Sequence, residues 1–211
     1  MAVLLGDEAP DFTADTTQGT IRFREWKQGR WAMLMSHPGD FTPVCTTELA
    51  AVATLMPEFE KRNTRVIAVS VDPLDTHYRW LSDVEELAEV PITFPLAADP
   101  NRWVSGLYGM VHPSASGRDT VRSVFIIDPD DRVRVMLAYP PCTGRNFEEL
   151  LRVLDSLQLA DKHQVVTPAG WQNGQDVLIS TDVSNEEART RFPKGFEAKK
   201  PYLRFTPQPD E

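Results

Sequence analysis

The stretch His37-Pro-Gly-Asp-Phe-Thr-Pro-Val-Cys45-Thr-Thr-Glu48 gathers an imidazole, a hydroxyl and a thiol around one turn. Thr42 suits a helix N-cap. Pro43 suits the first helical position, where its fixed φ fits and its missing N–H would have gone unpaired, so Cys45 falls third in the helix. A sulfur placed there faces free backbone N–H groups and the positive end of the helix dipole, both of which favour the nucleophilic thiolate. Thr42 and Cys45 lie one turn apart on the same helix face, so the hydroxyl can reach whatever the sulfur attacks. Most free cysteines are small buried hydrophobes. Cys45 instead lies among threonines in a proline-framed turn, which predicts a reactive nucleophile.

Trp31 to Ser36 is near-continuously apolar and predicts a central strand buried on both faces. After the turn, Leu49, Val52, Met56 and Phe59 mark one face of a helix from about Pro43 to Arg62, with a kink or a local irregularity expected at Pro57. Arg65 to Val71 reads as a second strand, which makes the pair parallel with a crossover helix. A helix over Asp75 to Leu87, with Asp75 as N-cap, follows. Then come a short strand in Phe94 to Asp99 and a short helix in Arg102 to Tyr108. Val121 to Asp128 and Val133 to Tyr139 predict an antiparallel hairpin, and Asn146 starts a helix carrying Leu150, Leu151, Leu154 and Leu157. Ile21, Phe23 and Trp26 are candidates to cover one side of the core.

The composition changes after Leu159. A weak strand signal at Asp176 to Ser180 and a short helical signal at Asn185 to Phe192 cannot bury a large core alone, so this part is expected to pack on the main domain or on a second subunit. The expected fold class is α/β, a mixed sheet flanked by helices. It comprises a main domain over residues 1–160 and a small C-terminal extension over 161–211.

The chain has 211 residues and is 41% hydrophobic, enough for one sizeable core. With 22 basic against 31 acidic residues, its net charge of −9 argues against nucleic acid or an anionic membrane as partner. No apolar run reaches membrane-span length and the N-terminus lacks signal-peptide features, so a cytoplasmic location is expected. Two cysteines, Cys45 and Cys142, do not make a disulfide framework. His77, His112 and His163 are scattered without metal-ligand spacing, so neither a metal nor another cofactor is expected.

Pro38-x-x-x-Thr42-x-x-Cys45 resembles the active-site pattern of the peroxiredoxin family. The longer string through Thr46-Thr-Glu-Leu49 is similar to the one-cysteine, peroxiredoxin 6 branch. Tyr139-Pro-Pro-x-Thr-Gly-Arg-Asn146 and Leu203-Arg-Phe-Thr-Pro-Gln-Pro209 extend the resemblance over nearly the whole chain. It implies a thioredoxin-like fold and a thiol peroxidase that reduces hydrogen peroxide and organic hydroperoxides through a Cys45 sulfenic acid. An outside thiol, glutathione- or thioredoxin-like, would regenerate the cysteine. It also implies a homodimer or a larger assembly of copies, with the extension at the dimer interface.

By resemblance, Arg122 stands where the family has its active-site arginine and Arg145 where it has a second; neither assignment follows from spacing. Pro38 would shield the pocket, and His37 would lie beside the cysteine as an orienting group or general base. Cys142 departs from the one-cysteine pattern, either as a spectator or as a resolving partner in a two-cysteine mechanism. A chaperone-like binding role is a further alternative. A disulfide reductase would need Cys-x-x-Cys, and residue 42 is threonine. Some peroxiredoxin 6 proteins are credited with a phospholipase activity. Here arginine fills the serine and histidine positions of the matching Arg24 to Trp31 stretch, and only Asp130 stays in register, so no lipase activity is expected.

Overall fold

The computed structural model describes residues 3–210. The chain divides into two compact units, Met1–Phe147 and Glu148–Glu211. The division falls at the start of the last long helix, earlier than the compositional change at Asp161.

The first unit runs β1 (Thr13–Thr16), β2 (Gly19–Arg22), α1 (Phe23–Lys27), β3 (Trp31–Ser36), α2 (Pro43–Lys61), β4 (Thr64–Ser70), α3 (Leu74–Ala88), β5 (Leu96–Ala98), α4 (Trp103–Leu107), α5 (Pro113–Ser116), β6 (Arg122–Ile127) and β7 (Val133–Tyr139). Its seven strands form one mixed sheet in the order β2-β1-β5-β4-β3-β6-β7. This is the thioredoxin-like α/β class expected from the sequence. The apolar run of β3 is buried at every position, as a strand with helices on both faces requires. It pairs in parallel with β4 and antiparallel with β6.

Two differences from the sequence reading have local causes. The β1–β2 hairpin was not expected, because its four-residue strands carry too little alternation to show a period of two. Pro73, rather than Asp75, occupies the N-cap of α3, and Asp75 sits in its first turn, where a carboxylate still meets the positive end of the dipole. Helix α2 runs unbroken through Pro57. Ile21 and Trp26 pack against a core that includes Phe12, Phe23, Leu34, Ile67 and Phe125.

The topology decides what can meet at one edge of this sheet. Because β6 is antiparallel to β3, with Met35 opposite Val124, the start of β6 lies at the end of β3. Ser36 Oγ locks that junction, donating to Val121 O at 2.6 Å and accepting from Ser123 N at 3.1 Å. The end of β7 returns to the same edge, with Tyr139 opposite Arg122. Residues distant in sequence thus converge where α2 begins.

The second unit holds most of α6 (Phe147–His163), then β8 (Val165–Val166), β9 (Val177–Ile179), α7 (Asn185–Arg191), β10 (Glu197–Lys200) and β11 (Leu203–Thr206), the strands ordered β10-β11-β9-β8. Leu159, Val165, Trp171, Val177, Ile179, Val183, Ala188 and Phe192 give it an apolar cluster of its own. Arg204 ties β11 to the turn before α7, donating to Ser180 O and Val183 O. The extension therefore has more internal packing than its weak sequence signals suggested.

Candidate active site

Helix α2 starts as the sequence predicts, with Thr42 at the N-cap in extended conformation and Pro43 behind it. The cap works differently from expectation, because Thr42 Oγ1 donates to Gly39 O at 2.8 Å instead of accepting from the helix. The first turn closes at Thr46 N to Thr42 O, 3.0 Å. The Val44 and Cys45 amides precede that bond and have no intrahelical acceptor. They remain available to a ligand, and the Thr42 hydroxyl keeps its lone pairs to accept a proton from one. The preceding residue, Phe41, takes a left-handed φ of 54°, a conformation that costs a bulky side chain about 1–2 kcal/mol.

Cys45 Sγ is fully covered and unpaired with any other cysteine. Arg122 Nη1 donates to it at 3.3 Å and to Glu48 Oε2 at 2.7 Å. The same guanidinium holds Pro141 O through Nε and Nη2, at 3.0 and 2.6 Å. Arg145 does not touch the sulfur. Its backbone N–H, Nε and Nη2 donate to Glu48 at 2.8, 2.9 and 2.7 Å, while Nη1 reaches Ser36 O and Ser123 O. The structure brings Arg122 onto the Cys45 sulfur and sets Arg145 one layer behind it.

Glu48 links the two arginines and was not singled out from the sequence. The available signal was a carboxylate one turn after Cys45, on the helix face that also carries Leu49 and Val52. Burial pushes the Glu48 carboxyl up, but Arg145's hydrogen bonds and charge, with Arg122's charge, outweigh it and hold the group below the ordinary glutamate range. Two guanidiniums and one carboxylate leave a net positive charge beside the Cys45 sulfur.

Glu48→Gln should leave two buried guanidiniums short of an anion, a loss of about 3–5 kcal/mol. The folded carboxyl titrates below the unfolded one. Its contribution is therefore complete above the ordinary glutamate pKa and fades as pH falls through the lower folded value. Urea unfolding from neutral into acid should show this acid-side loss in the parent and not in Glu48→Gln; equal acid slopes would contradict it.

His37 takes a different place from the one expected of it. Its ring is fully buried, packs 5.3 Å from the Trp80 ring and meets Asp40 Oδ1 through Nε2 at 3.0 Å; no hydrogen bond joins it to Cys45. His77, regarded in the sequence as scattered, lies on the other side of the same carboxylate, with Nδ1 2.7 Å from Asp40 Oδ2. Burial lowers the His37 pKa, partly opposed by Asp40. Asp40, raised by burial but bonded by both histidines, ends below the usual aspartate range. The half-buried Pro38 follows His37 in the loop.

Cys142 is exposed, and its sulfur lies 3.6 Å from the neighbouring Thr143 hydroxyl. Arg24 pairs with Glu8 and Arg30 with Glu60. A surface cavity of about 800 Å³ is lined by residues such as Leu4, Trp103 and Arg132 and by none of the groups around Cys45. The Cys45 sulfur sits in a covered turn.

The AhpC/TSA family profile matches residues 5–136, and the C-terminal domain of 1-Cys peroxiredoxin matches residues 156–195. A 1-Cys peroxiredoxin of Dictyostelium discoideum is 50% identical over 98% of this chain and 86% of its own length. The crystal structure of a cysteine-to-serine mutant of the peroxiredoxin 6 of Arenicola marina superposes with a TM-score of 0.95 at 44% identity, covering 100% of both chains. A yeast mitochondrial 1-Cys peroxiredoxin, studied for thiol resolution through the glutathione and thioredoxin systems, gives 0.91 at 46% identity over 97% of this chain and 99% of its own. With a cysteine at a helix start, an arginine on its sulfur and these full-length matches, the chain belongs to the one-cysteine peroxiredoxins and is a peroxidase.

Proposed function

We propose that Cys45 is the peroxidatic nucleophile and that hydrogen peroxide and organic hydroperoxides are its substrates. The observation that carries this reading is Arg122 Nη1 at 3.3 Å from Cys45 Sγ, beside two uncommitted amides. The thiolate attacks the near oxygen of the peroxide. An S–O bond forms, the O–O bond breaks, and the far oxygen leaves as water or alcohol after taking a proton. Arg122 and the Val44 and Cys45 N–H groups stabilise the charge moving onto the oxygens. Thr42 accepts the peroxide O–H and orients it, Pro38 limits water, and Arg145 with Glu48 fixes Arg122. His37 shapes the turn from behind.

Two equivalents of an outside thiol of the glutathione or thioredoxin kind then return the sulfenic acid to thiol, releasing water and a disulfide. Such a cycle suits a reducing compartment such as the cytosol. Without reductant, one equivalent of peroxide per chain should be consumed in a rapid burst, and continued turnover should require added thiol. Absence of the burst would overturn the assignment.

The reading includes a homodimer. Its support is the outer edge of β7 beyond Val133, where among the described residues the strand has β6 as its sheet neighbour and carries half-buried Val135, Met136 and Leu137. An unpaired edge of this length invites pairing with a second copy. Sedimentation velocity should show a dimer that the exposed-edge substitution Ala138→Arg weakens, and a monomer at all concentrations would contradict it.

A further inference from the structure

His37 follows β3 and His77 lies on α3, yet the turn after β3 brings both rings onto one carboxylate, that of Asp40. One ligand atom from each of the three residues lies within 4.8 Å of the others. The closest approaches are 3.0 Å for His37 Nε2 to Oδ1 and 2.7 Å for His77 Nδ1 to Oδ2. In a tetrahedral shell with bonds of about 2.0–2.1 Å, neighbouring ligand atoms stand roughly 3.3 Å apart. Both hydrogen bonds are already shorter than that spacing, and any wider separation within the 4.8 Å triplet closes when all three groups take one ion.

We propose that His37, Asp40 and His77 form a binding site for a divalent cation of the zinc class, which the peroxidase chemistry does not use. Two imidazoles and one carboxylate match zinc and its late first-row neighbours, whereas magnesium and calcium prefer all-oxygen shells. Three protein ligands leave a fourth position open.

The His77 ring has the outer-shell contact typical of a metal ligand, and the other two residues are fixed through their backbones. His77 Nε2 faces Ala97 O at 3.3 Å, Asp40 N donates to Asp72 Oδ2 at 3.0 Å, and His37 is pinned through its backbone by Val69 O and the Thr120 hydroxyl. The charges also balance, since Asp40 and Asp72 supply two negative charges against a divalent cation. His37 Nδ1 is buried with no hydrogen-bond partner among the described residues. A cation at Nε2 therefore displaces one hydrogen bond from that ring. The bound ion joins the end of β3 to α3 across the loop that carries Pro38 and Thr42.

Thiols also bind zinc, so the test uses the full chain without an affinity tag and with Cys45→Ser and Cys142→Ser. After zinc addition and desalting, one zinc per chain should be retained, and Tm should rise with zinc concentration by mass action. Cobalt should give the visible absorption of a four- or five-coordinate site. Adding His77→Gln should abolish retention. Independently of that variant's folding, imidazole nitrogen NMR of the double-serine protein should show His37 and His77 shifting on zinc binding, with His112 and His163 unmoved. No retained zinc in the double-serine protein, undiminished retention in a folded His77→Gln variant, or shifts confined to His112 or His163 would overturn the proposal.

Discussion

Cys45→Ser should abolish peroxide turnover, a loss of at least about four orders of magnitude in kcat/KM, while circular dichroism and thermal unfolding stay close to the parent. The serine hydroxyl fits the space of the thiol, so the covered pocket beneath Arg122 does not collapse. It is a poor nucleophile toward an O–O bond. A binding or chaperone-like activity carried elsewhere on the chain would survive the change. The variant therefore separates catalysis from any such role, and residual peroxidase activity would place the nucleophile elsewhere.

Arg122→Met should lower kcat/KM for hydrogen peroxide by about two to three orders of magnitude, the usual cost of removing one preorganised donor to developing charge. The guanidinium performs three tasks at once: it donates to Sγ, pairs with Glu48 and clamps Pro141 O. Methionine fills the volume and performs none of them. Arg122→Lys keeps the charge but loses the planar fork that reaches sulfur, carboxylate and carbonyl together, so its rate should fall between the two. Stopped-flow consumption of peroxide reads both variants, and parent-like rates for Arg122→Met would remove the arginine from the mechanism.

The strand, turn and helix around Cys45 were legible in the sequence because their signals are local: a six-residue apolar run, a cap-and-proline pair and a helical stripe. What the sequence could not show was convergence. Arg122 reaches Sγ because β6 runs antiparallel to β3 in a particular register, and no local pattern records a register. Resemblance supplied Arg122 and Arg145 as candidates, and the geometry separates them, one on the sulfur and one on Glu48.

Glu48 lay in plain view inside the motif, but its importance depends on two cations that arrive from β6 and from the loop after β7. Asp40 and His77 were missed for the same reason, since 37 residues separate His77 from the carboxylate it bonds. His37 was expected near the site beside the cysteine, and its ring bonds Asp40. In the C-terminal unit, short strands gave weak periodicity, although together they bury a cluster around Trp171.

The central claim is that Cys45 alone carries the oxidation, and trapping of the sulfenic acid tests it most directly. The protein is treated with one equivalent of hydrogen peroxide in the presence of dimedone, without reductant, and its peptides are mapped by mass spectrometry. A single dimedone adduct on Cys45, with Cys142 still a free thiol, is the predicted result. A Cys45–Cys142 disulfide, or an adduct on Cys142 with Cys45 unmodified, would contradict the account.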